Sequence, residues 1–84
     1  MHRTAIGPQL RAARNGLGWS IQELANFSGI SVRTIIRYED CSGVPATRSG
    51  NLEALIETLE SAGIEFIGTP DDGPGIRIHS KPDT

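Results

Sequence analysis

Two helix-start signals with a glycine corner between them constrain this chain more than any other feature. Ser20 and Glu23 form Ser-x-x-Glu, in which each side chain satisfies the other residue's backbone N–H at a helix start. Trp19 precedes that cap and is placed to staple onto Leu24 one turn into the helix. Ser31 repeats the signal, with Ile30 before it and Ile35 one turn in. Between them Gly29 suits the left-handed backbone of a sharp turn, and Ala25 is small enough for a helix to cross closely over it. The spacing predicts one helix from the Ser20 cap to Ser28-Gly29 and a second over 31–40. Leu24, Ala25 and Phe27 are expected to point inward from the first, and Ile35 and Tyr38 from the second. Val32, Arg33, Ile36 and Arg37 fall on the other faces of that second helix.

The flanks complete a small bundle. Pro8 suits a first helical turn, Leu10, Ala13 and Leu17 form a stripe, and Gly16 and Gly18 end it, which predicts a helix over 8–16. Residues 40–45 read as a loop closed by Pro45. Leu52, Leu55, Ile56, Leu59 and Ala62 then trace the most regular apolar stripe in the chain, with Glu53, Glu57 and Glu60 opposite, predicting a helix from 48 or 49 to 62. Beyond Gly63, Ile64-Glu65-Phe66-Ile67 and Ile76-Arg77-Ile78-His79 alternate like strands around a turn over 68–75. They are expected to form a hairpin or to pair across a dimer, and residues 80–84 are expected to fray. The fold class is thus mainly α, a bundle of about four helices with a C-terminal two-strand β element. Residues 1–63 would be the helical domain and 64–84 a dimerisation element.

Charge divides along the same line. Residues 1–49 hold six arginines against three acids, a balance of +3, whereas residues 50–84 hold two cations against seven acids, a balance of −5. The basic half suits an anionic partner and the acidic half a different contact. The chain has no catalytic constellation: no nucleophile stands at a plausible spacing from a base, and no glycine loop is set to cradle phosphate. His2 and His79 lack neighbouring ligands, so neither a metal nor a cofactor is expected. A lone Cys41, no apolar run of membrane-spanning length and no secretory leader point to a cytoplasmic setting.

Trp19-Ser20, Leu24-Ala25, Ser28-Gly29-Ile30-Ser31, Thr34-Ile35 and Tyr38-Glu39 together resemble the Cro and lambda-repressor type helix-turn-helix, the Xre family, over roughly residues 6–62. The resemblance implies a lambda-repressor-like fold and roles for particular residues. Val32, Arg33, Ile36 and Arg37 would meet base edges in the major groove of double-stranded DNA. Ser31 and Thr34 would hold phosphate, with Arg11 and Arg48 as further phosphate candidates. Arg14 would pair with Glu39 as a structural contact, alongside the structural Ser20, Glu23, Ala25 and Gly29. The family often has glutamine where this chain has Ile21, so the adjacent Gln22 is the candidate for that phosphate contact. The family also usually has two short helices after the reading helix, where one long helix is expected here. The implied function is sequence-specific transcriptional regulation by a homodimeric repressor that is not an enzyme. The alternative is an antitoxin-like module that binds a toxin through residues 50–84 and binds DNA to regulate itself.

Overall fold

A computed structural model describes residues 4–47 and 50–79. Four helices are followed by one antiparallel hairpin: α1 (Gly7–Gly16), α2 (Ile21–Ser28), α3 (Val32–Glu39), α4 (Asn51–Ser61), β1 (Ile64–Thr69) and β2 (Asp72–Ile78). Apolar stripes from the four helices meet in one core. Leu10 and Ala13, Leu24, Ile35 and Tyr38, and Leu55, Ile56 and Leu59 are buried there, and Ile64 carries the core into β1. Each fully buried side chain of this size contributes about 1.5–3 kcal/mol. That is how helices of 8 to 11 residues, too short to persist alone, are held.

The α2–α3 pair forms at the expected boundaries. Phe27 does not point inward: it is 58% exposed, and its ring lies 4.6 Å from that of Trp19, tilted by 52°. At the last turn of α2 the inward direction belongs to Leu24 and Ala25, and the staple residue offers Phe27 an aromatic neighbour on the rim. Trp19 itself packs against the core edge.

Helix α1 begins at Gly7, one residue before the expected start. Gln9 explains the shift, because its Oε1 accepts the Ile6 N–H at 2.9 Å and caps the first turn. Gly7 lies against the loop after α3, with its N–H donating to the Gly43 carbonyl at 3.0 Å. A β-carbon at Gly7 would overlap the Cys41 carbonyl oxygen, so the close approach of α1 to that loop requires glycine. Helix α4 starts at Asn51, after Gly50. Its expected start at 48 or 49 lies outside the described residues, as do Arg48 and the expected fraying of 80–84. At 11 residues α4 is barely longer than α1, so it is not an exceptional helix, and a hairpin follows it directly.

The hairpin is longer than expected. Its strands run on to Thr69 and back to Asp72, with Ile64 opposite Ile78, Phe66 opposite Ile76, and an irregularity between Ile67 and Thr69. The chain reverses over Pro70-Asp71. Pro74, within the turn expected over 68–75, lies in β2. In a two-stranded sheet every strand is an edge, and an edge strand tolerates a residue with no N–H to donate. The sheet is anchored to α1 by Gln9, whose buried Nε2 donates to the carbonyls of Gly75 at 2.8 Å and Ile67 at 3.3 Å.

Candidate nucleic-acid interface

The corner that aims α3 is built from short-range bonds. Ser20 Oγ accepts the Glu23 N–H at 3.0 Å, and Glu23 Oε1 accepts the Ser20 N–H at 2.8 Å, so the first turn of α2 is closed from both sides. Gly29 ends α2 with φ at 77°, its N–H donating to the Ala25 carbonyl at 2.9 Å. That left-handed turn costs most residues about 1–2 kcal/mol and glycine almost nothing. Ser28 Oγ then accepts the Ile30 N–H at 3.1 Å and leads the chain into α3. Ala25, one turn before the corner, is buried in the core.

Helix α3 is held at its far end by charge. Glu39, only 5% exposed, receives Arg14 in a two-pronged pair, with Nε to Oε2 at 2.7 Å and Nη2 to Oε1 at 2.9 Å. Arg14 Nη1 donates to the Trp19 carbonyl at 2.9 Å. One guanidinium thus ties the end of α1, the entry to α2 and the end of α3 together. The hydrogen bond to Glu39 raises the Arg14 pKa above its ordinary value, outweighing desolvation, and the attraction of the nearby carboxylate adds to it. Arg11 joins on the surface side, with Nη2 donating to the Glu39 carbonyl and to Asp40 Oδ1, each at 3.2 Å.

The outward face of α3 is different. Arg33, Ile36 and Arg37 are exposed, with Val32 and Thr34 half-buried on either flank. Among the described residues neither Arg33 nor Arg37 has an acidic partner, although they stand one turn apart where like charges repel. Arg37 leans over the Tyr38 ring, 5.6 Å from its centroid. Asp40, the residue that follows α3 and three residues on from Arg37, is taken by Arg11 instead.

At the N-terminus of α3, Ser31 Oγ accepts the Thr34 N–H at 3.2 Å and donates its own hydrogen to Thr34 Oγ1 at 2.9 Å. One hydroxyl hydrogen is used between Ser31 and Thr34, which leaves the pair one hydrogen to offer outward. Gln22 lies exposed on α2, its Nε2 donating to Asn26 Oδ1 at 3.1 Å. The structure thus groups Val32, Arg33, Ile36 and Arg37 with Ser31 and Thr34 on one helix. Gln22 stands on the neighbouring helix, and Arg11 is committed to the α3 C-terminus.

Sequence reading missed two residues that position this surface. Gln9 carries a visible signal, since Gln three residues into a helix start is half of a capping box. Gly7 carries none, because the loop that excludes a side chain there is brought in from residues 41–43.

A family model described as Helix-turn-helix matches residues 10–61, from within α1 to the last residue of α4. The hairpin lies outside that match. No curated protein matches the chain.

Proposed function

This chain belongs to the helix-turn-helix family of Cro and lambda-repressor type regulators and is a DNA-binding regulator, and on that premise we propose that it represses transcription as a homodimer that reads the major groove with α3. One observation carries this reading. Of the described arginines in the basic half, Arg11 and Arg14 are committed to the end of α3, whereas Arg33 and Arg37 are left unpaired on its exposed face. Two unpaired guanidinium groups one turn apart cost the free protein, and guanine edges or phosphates offset that cost when DNA binds.

In this reading Arg33 and Arg37 meet bases, with Val32 and Ile36 beside them, while Thr34, Ser31 and Gln22 hold the backbone. Arg48 is a further phosphate candidate, and Arg11 keeps Asp40 away from the phosphates. A single domain makes few such contacts. A dimer doubles them and sets two reading helices about 34 Å apart on a palindromic site in cytoplasmic DNA. The hairpin, added outside the family match, is the proposed dimer element. A toxin-binding role for residues 50–84 draws less support, because Glu65 is spent on Arg77 and His79, and Glu53 and Glu60 are themselves engaged.

Selection of duplexes from a random pool by the full chain, with light scattering on the complex, tests the proposal. A palindromic site bound by two copies is expected, with affinity falling linearly on a log–log plot against salt. Arg37→Ala should lose about 1–3 kcal/mol of base discrimination. An Arg37→Ala protein with unchanged affinity and unchanged preference would refute the assignment of α3.

A further inference from the structure

Ile36 stands out on the reading helix. It is 46% exposed on the face that carries Arg33 and Arg37, three residues from the first and adjacent to the second. Ile35 and Tyr38 are buried in the bundle, and Val32, one turn before Ile36, packs half-buried against the core edge, whereas Ile36 is left outside it. No fold requirement places an isoleucine at 36, because the core is complete without it.

From this we infer that Ile36 reads the 5-methyl group of a pyrimidine lying within one base-pair step of a guanine held by Arg33 or Arg37. The inference rests on the assignment of α3 as the reading helix. In the major groove the base edges are donors and acceptors, and the apolar group among them is the C5-methyl of thymine. An isoleucine pressed against any other edge would strip water from a polar group and return nothing. The spacing agrees. Positions 33 and 36 are three residues apart, a rise of about 4.5 Å at 1.5 Å per residue. Base pairs rise about 3.4 Å, so the two side chains fall on neighbouring pairs when the helix follows the groove. Positions 33 and 36 also share one side of the helix, as residues three apart do. The ligand is therefore a half-site in which a 5-methylpyrimidine stands next to guanine.

The test uses the full chain and the duplex it selects. Each thymine of that duplex is replaced in turn by deoxyuridine, which differs only by the lost methyl. Native protein is expected to bind about four-fold more weakly when one thymine beside a guanine is replaced in one half-site, the worth of one buried methyl-sized group. Ile36→Ala, a change at an exposed position, should stay folded by circular dichroism and bind thymine and deoxyuridine duplexes alike. The inference is overturned if native protein ignores the methyl at every thymine, or if Ile36→Ala still feels it. It is equally overturned if Ile36→Ala loses the dimer in light scattering while native protein shows no methyl penalty, since Ile36 then meets a second copy. Native protein that selects no duplex at all defeats the reading-helix assignment itself, an outcome distinct from indifference to the methyl.

Discussion

At the scale of single residues, what matters is which cations are spent inside the protein and which are left over. Arg14 and Glu39 are spent. Their pair is nearly buried, and a buried pair broken on one side leaves an uncompensated charge. Arg14→Ala is therefore expected to destabilise the fold by about 3–5 kcal/mol, read from chemical denaturation, a large part of what holds so small a domain. Arg14→Lys should recover little of the loss, because an ammonium cannot supply three donors in a planar fork. Arg33→Ala should leave the melting temperature unchanged or slightly higher, since it removes a like-charge neighbour of Arg37, while DNA affinity falls. Opposite outcomes for two arginines of one small domain are the signature of a split between scaffold and reading face. The composition of the basic half does not reveal that split, since charge counting weighs all its arginines alike. The α3 pattern does, because Arg33 and Arg37 fall away from the Ile35 and Tyr38 stripe.

At the scale of elements, short-range signals were legible and long-range ones were not. Ser20, Glu23, Gly29 and Ser31 act within a few residues of themselves, so the α2–α3 corner could be located from the order of residues alone. The hairpin could be seen as two alternating stretches, but its length could not, because what decides it is pairing between residues 64–69 and 72–78 and support from α1. Gln9 is the main polar part of that support. Gln9→Ala removes the cap on Ile6 N–H and two bonds to the hairpin, at about 0.5–1.5 kcal/mol for each bond lost. Hydrogen exchange should show protection lost in β1 and β2 while the α2–α3 pair keeps its own. Equal loss across both units would mean that the hairpin is not a separable element. Acid should act on the same hairpin. Glu65 Oε1 lies 2.7 Å from His79 Nε2 and 3.2 Å from Arg77 Nη1, and the His79 hydrogen bond above all, helped by Arg77, lowers its pKa below 4.5. The unfolded chain then binds that proton more readily than the folded one, so the contribution is present above 4.5 and is lost as pH falls through the depressed value. Glu65→Gln should flatten the acid side of the melting-temperature profile. The effect will be small, because the pair is exposed.

At the scale of the whole molecule, the net charge of −2 argues against a nucleic-acid ligand until it is placed in space. The fold sets α3 with its unpaired arginines on one surface and leaves the acidic C-terminal half on α4 and the hairpin, where several acids find partners within the protein. Binding should then depend on the local arrangement and not on the total. A paired comparison checks this. Replacing Glu57, an exposed acid on α4, with Gln raises the net charge by one, and so does replacing Asp40 with Asn at the end of α3. The Glu57 change is expected to leave DNA affinity and its salt slope nearly unaltered, since exposed charges beyond about 8–10 Å are screened at physiological ionic strength. The Asp40 change removes a carboxylate at the end of α3 and takes away the ion pair that Arg11 makes with it. Affinity should rise and the salt dependence should steepen by about one phosphate contact, seen as a slope change near 0.9. Equal responses to the two substitutions would mean that net charge alone governs binding, and the division of the molecule into a reading surface and an acidic remainder would lose its physical basis.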